Sequence, residues 1–71
     1  MSMEVRKTIG AKIAALRKAQ GLTQKELAEK SELDRTYITR VEQGSINIGV
    51  EILAKIADAL DTEIELVKAP Q

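Results

Sequence analysis

Apolar residues recur at helical intervals along most of the chain. Val5, Ile9, Ile13 and Leu16 stand at i, i+4, i+8 and i+11, one stripe of a first helix. Gly21, just after the basic turn of Arg17 and Lys18, is its predicted stop. Thr23 and Glu26 have the spacing of a capping box, and Leu22 and Leu27 that of a hydrophobic staple. Together they predict a short second helix running to about Ser31. Asp34 can cap a third helix, with Leu33 and Ile38 as its staple. Ile38 and Val41 point to the core there, and Arg35, Thr36, Thr39 and Arg40 fall on other faces, before Gly44 ends the helix in a left-handed residue. Gly49 is a weaker cap for a fourth helix, whose staple is Ile48 with Leu53 and whose buried stripe is Leu53, Ile56, Ala57 and Leu60.

The end of the chain has a different period. Glu63-Ile64-Glu65-Leu66 alternates every second residue, which predicts a half-exposed strand over about residues 63–68, closed by Pro70. The expected fold is all-α: one domain over residues 1–71, with a compact bundle of about four short helices over about 5–60 and a short C-terminal β-strand. The second and third helices, separated only by Ser31-Glu32-Leu33, form a helix-turn-helix. A lone strand leaves its backbone groups unsatisfied, and nothing else in the chain reads as a strand. The expected partner is therefore the same segment of a second copy, antiparallel across a two-fold axis. Ile64 and Leu66 would face inward at that dimer interface and Glu63 and Glu65 outward. The alternatives are a tail folded onto its own fourth helix, or a dimer made by the fourth helices themselves.

Composition removes whole classes of chemistry. The 71 residues include no histidine, cysteine, tryptophan or phenylalanine and a single tyrosine, Tyr37. A zinc site of ordinary ligand type, a disulfide framework and a Cys/His or Ser/His nucleophile pair are excluded. Ser2, Ser31 and Ser45 have no base partner, so no catalytic residue, metal or cofactor is expected. One aromatic residue makes no stacking platform for single-stranded nucleic acid. No apolar run approaches the roughly 18 residues of a membrane span, and Met1 to Glu4 lack the regions of a signal peptide, so a cytoplasmic location is expected.

Formal charge is zero overall but unevenly laid out. Residues 1–40 hold nine basic against five acidic side chains, and residues 41–71 hold two against six. A polyanion would meet the first part and be repelled by the second, and a merely asymmetric solvated surface would have the same layout.

The words within this pattern carry a sharper signal. Leu16-Arg17-Lys18-Ala19-Gln20-Gly21-Leu22-Thr23-Gln24-Lys25-Glu26-Leu27-Ala28 resembles the opening of the Cro/phage-repressor, or XRE-like, helix-turn-helix family. Tyr37-Ile38-Thr39-Arg40-Val41-Glu42-Gln43-Gly44 is similar to that family's third helix and its exit, and Ile52 to Leu60 to its fourth. The likeness spans about residues 8–60.

The resemblance implies a set of roles. Arg35, Thr36 and Arg40 match positions that contact bases, and Gln24, Tyr37 and Thr39 match positions that touch phosphates or support the readers. Arg17 and Glu42 match a structural salt bridge between the first helix and the end of the third. Side-chain chemistry favours Arg35 or Arg40 forking onto a guanine, and Thr36 against a thymine methyl. Three departures stand out. Glu32 occupies the usual glycine of the turn, and Ile48-Gly49 replaces the usual Pro-Ser before the fourth helix. Asp34 places a carboxylate at the mouth of the groove, where it would repel phosphate unless it caps the helix or accepts from a cytosine amine.

The expected function is that of a transcriptional regulator, in particular a repressor, that binds a pseudo-palindromic double-stranded DNA operator as a homodimer. One alternative is an antitoxin of a toxin–antitoxin pair that also autoregulates its operon, with a toxin protein as an added partner. The other is a protein-interaction module without DNA binding, for which zero net charge and Asp34 are the arguments.

Overall fold

Each helix starts and stops where local sequence satisfies, or fails to satisfy, the backbone groups at its ends. The computed structural model describes residues 2–62; the predicted strand, with Ile64 and Leu66, lies outside the described residues. Helix α1 spans Met3–Ala19, α2 Gln24–Ser31, α3 Arg35–Gln43 and α4 Val50–Ala59. Ser2 caps α1 by accepting from the Val5 amide at 3.1 Å, so the helix begins two residues before its apolar stripe. A serine followed by Glu4 in the first turn is the sequence signal for that start. At α2 the capping box is complete: Thr23 Oγ1 accepts from the Glu26 amide at 3.0 Å, and the Thr23 amide donates to Glu26 Oε1 at 2.8 Å. The hydrogen bond from the Thr23 amide foremost, with that from the Thr23 side chain next, holds the Glu26 carboxyl below its ordinary range.

The cap expected of Asp34 is only half present. Its backbone has N-cap geometry, φ −78 and ψ 141, yet its side chain accepts no capping hydrogen bond. Gly49, with no side chain to offer, likewise leaves the first turn of α4 without a side-chain partner.

All four helices of the described residues end with the same reversal. A left-handed residue lets the next amide reach back five positions: Leu22 to the Arg17 carbonyl, Leu33 to Ala28, Ser45 to Arg40 and Thr62 to Ala57, at 2.8–3.1 Å. The left-handed residues are Gly21, Glu32, Gly44 and Asp61. Glu32, at φ 59 and ψ 37, holds a conformation that costs a non-glycine residue about 1–2 kcal/mol. Glu32→Gly is therefore expected to stabilise the domain by about 0.5–1 kcal/mol, since glycine's greater freedom in the unfolded chain offsets part of the relief. Urea unfolding measures it; a lower midpoint for the variant would mean that the Glu32 side chain contributes more than its backbone costs.

The three-dimensional arrangement is α1 laid along α3, with α2 packed against both α3 and α4. Ile13, Leu27, Ala28, Ile38, Val41, Ile48, Leu53, Ile56 and Leu60 form the core, and Ile9, Leu22, Leu33 and Tyr37 pack around it. The α4 stripe is buried as its spacing predicts. The α1 stripe is displaced. Gly10, Ile13 and Arg17 are its buried residues, whereas Leu16 is exposed. The cause is the crossing with α3: a β-carbon on Gly10 would lie 2.6 Å from the Glu42 carbonyl oxygen and nearer still to that of Val41. Side chains on the Gly10–Ile13–Arg17 line therefore face α3, and Leu16 is turned away. At the far end of α4, Gln20 Nε2 donates to the Leu60 carbonyl at 2.6 Å and ties the two helix termini together. No described helix is long and apolar enough to cross a membrane.

Candidate nucleic-acid interface

Helix α3 has two sides of opposite character. Ile38 and Val41 are buried in the core, while Arg35, Thr36 and Arg40 are exposed and form no side-chain hydrogen bond or ion pair among the described residues. Three donor-bearing side chains are thus held on one rigid helix and left available, at i, i+1 and i+5.

That rigidity comes from a chain of polar contacts across three helices. The Arg17 guanidinium grips the Glu42 carboxylate with two bonds, Nε to Oε2 at 2.7 Å and Nη2 to Oε1 at 3.1 Å. Its remaining Nη1 donates to the Leu22 carbonyl at 2.8 Å, in the turn between α1 and α2. Glu42 Oε1 also accepts from Gln24 Nε2 at 3.0 Å, and Gln24 Oε1 accepts from the Thr39 hydroxyl at 2.8 Å. Thr39 shares that hydrogen with the Arg35 carbonyl at 3.1 Å. The two charged side chains are 10% and 7% exposed, so the pair is nearly withdrawn from water. The hydrogen bonds that Arg17 donates to Glu42 raise its pKa above the ordinary value, against the lowering effect of burial.

This geometry separates the residues grouped in the sequence. Arg17 is removed from the surface by its carboxylate partner and adds no basic charge to the outer face. Gln24 and Thr39 are half-buried and bonded to one another, so both brace α3 from beneath its exposed side. Tyr37 is half-buried with its ring against the core. Asp34 stands exposed beside Arg35 and Thr36. The contact between Gln24 and Thr39 joins residues 15 positions apart, and no local spacing announces it.

A helix-turn-helix family profile matches residues 13–67, which include this whole arrangement. The chain belongs to the helix-turn-helix family. Among curated relatives, this helix-turn-helix chain is 37% identical over 60 residues to the immunity repressor protein of Bacillus phage phi105, covering 84% of its own length. It spans only 42% of that repressor. It is 38% identical over 66 residues to an uncharacterised helix-turn-helix-type transcriptional regulator of Sinorhizobium fredii, covering 92% of this chain and 86% of that one. Among solved structures it superposes on the restriction-modification controller protein C.AhdI of Aeromonas hydrophila with a TM-score of 0.83 at 39% identity, over 86% of this chain and 88% of that one. A second controller protein, C.Esp1396I, solved as a tetramer with its natural 35 base-pair operator, matches with a TM-score of 0.80 at 36% identity, over 83% of this chain and 78% of that one.

Proposed function

We propose that this helix-turn-helix protein is a sequence-specific regulator of transcription, acting in the cytoplasm as a repressor. It binds a pseudo-palindromic duplex operator as a homodimer. The observation that carries this reading is the exposed, unpartnered set Arg35, Thr36 and Arg40 on a helix braced by the Arg17–Glu42–Gln24–Thr39 network. Arg35 or Arg40 forks onto the O6 and N7 of a guanine, and Thr36 meets a thymine methyl. Gln24, Tyr37 and Thr39 hold the helix in register, and the first turn of α2, at its positive end, lies toward a phosphate. Repression is by occupancy: two copies of α3 enter successive major grooves about 34–36 Å apart. Two copies are needed because one helix reading a few base pairs competes poorly with a genome of non-specific sites. No catalytic step and no cofactor belong to this mechanism.

Selection from random duplex DNA, followed by affinity measurement at several salt concentrations, tests the proposal. Arg35→Ala and Arg40→Ala are each expected to weaken binding to the selected site by about 1–3 kcal/mol and to relax one of its positions. Binding falls steeply with salt because phosphates supply much of the affinity. If the double variant binds the site as tightly as the parent chain, α3 does not read DNA.

The dimer is proposed to form through the segment 63–68, with Ile64 and Leu66 at its centre. Truncation after Thr62, followed by sedimentation, is expected to give a monomer that has lost operator binding. A truncated chain that stays dimeric moves the interface to α4.

The likeness to restriction-modification controller proteins, which extends over most of their length, favours a narrower second reading. In it, the operator governs a restriction-modification system. Location of the selected sequence upstream of such genes would support it.

A further inference from the structure

We infer that Asp34 is a specificity-determining residue that selects cytosine at one position of each half-site; this rests on the DNA-binding reading above. Asp34 has the backbone of an N-cap, a position at which an aspartate normally spends its carboxylate on a first-turn amide. Here that bond is not made. The side chain is exposed, and among the described residues the one ion pair is that of Arg17 with Glu42. The carboxylate thus stands unengaged next to Arg35 and Thr36, on the end of α3 that enters the groove.

A bare carboxylate there is unfavourable near phosphate, and equally so near thymine O4 or guanine O6 and N7, all of which are acceptors. Only two groups on the major-groove edges of the bases donate: the N4 amine of cytosine and the N6 amine of adenine. Adenine sets its N7 acceptor beside N6 and so repels the second carboxylate oxygen. Cytosine sets a C5–H beside N4 and does not. Asp34 therefore accepts from cytosine N4 and penalises every other base at that position. It contributes discrimination rather than affinity, because the same charge weakens binding to all DNA that lacks a donor there.

Site selection and affinity measurement at fixed salt, on the full chain and on Asp34→Ala and Asp34→Asn, test this. The full chain is expected to enrich cytosine at one position per half-site. Asp34→Ala is expected to lose that preference alone, with discrimination against thymine there falling about tenfold, while its affinity for unrelated duplex rises. Asp34→Asn keeps an equally good N-cap residue and offers a donor beside its acceptor. It is expected to shift the preference at the same position toward adenine, whose N6 and N7 it can satisfy together. Retention of the same base by both variants overturns this inference and leaves the regulator reading intact, as does a uniform gain in affinity with an unchanged site. A parent chain that enriches no sequence overturns the regulator reading, and this inference with it.

Discussion

Gly10→Ala is expected to destabilise the domain by about 2 kcal/mol, although alanine is the better helix former by about 1 kcal/mol. The added methyl would sit 2.6 Å from the Glu42 carbonyl oxygen, 2.9 Å from its carbonyl carbon, and closer still to the Val41 oxygen. These are backbone atoms in the last turn of α3, so no side chain can swing aside. The helices must move apart, and the movement is transmitted to Ile13 and to the Arg17–Glu42 pair on the same line of α1. A core of this size supplies only roughly 3–5 kcal/mol, so the loss is a large part of the total. Thermal melts should show a fall of about 8–16 °C. Lys12→Ala, at an exposed position of the same helix, should change stability by less than about 0.5 kcal/mol and serves as the control. An alanine variant melting at or above the parent temperature would mean that α1 can withdraw from α3 at little cost.

Arg17→Met should be costlier still, at about 3 kcal/mol. It leaves the Glu42 carboxylate nearly buried with only Gln24 donating to it, and removes the side-chain donor from the Leu22 carbonyl. The lower end of the range for a buried pair applies because Gln24 remains and some water reaches both groups. Removing both charges is expected to cost less than removing one: Arg17→Met with Glu42→Met should be more stable than Arg17→Met alone, because no buried charge is left unpaired. Denaturant unfolding of the four members of that cycle measures the coupling. Operator binding, assayed where the variants remain folded, distinguishes a brace from a reader. An Arg17→Met protein that melts with the parent yet fails to bind DNA would place this arginine on the interface instead.

Gln24 connects these stability effects to the proposed function. Its amide joins Glu42 to Thr39, so a change at Arg17 reaches Thr39, beneath the exposed side of α3, through three links: Arg17–Glu42, Glu42–Gln24 and Gln24–Thr39. The network touches the proposed readers only at the Arg35 backbone carbonyl, which accepts from Thr39, so variants at its inner end should be scored for both folding and binding.

Much of this protein is legible from its chain alone, and the legible part is local. The Thr23–Glu26 box, the reversals at Gly21 and Gly44 and the α4 stripe each depend on residues no more than a few positions apart, within one or two helical turns. Interactions of that reach are set by neighbours in sequence, whatever the rest of the chain does. The likeness to a family with glycine at Glu32 left its backbone open, since glutamate by itself suggests no left-handed residue, and the structure decides for one. What lies between helices was decided by tertiary structure. The α1 spacing places Leu16 on the buried stripe and Arg17 off it, and the fold reverses the two. The choice falls to Arg17 because α1 meets α3 along Gly10 and Ile13, and because Glu42, 25 positions away, waits at the end of that line. Gln24, Thr39 and Glu42 are brought together in the same way, by a crossing whose position depends on the surfaces of both partners. Asp34 shows the converse: its sequence position offers a cap, but a side chain with several rotamers takes one only if the folded surroundings favour it, and here they leave the carboxylate facing out.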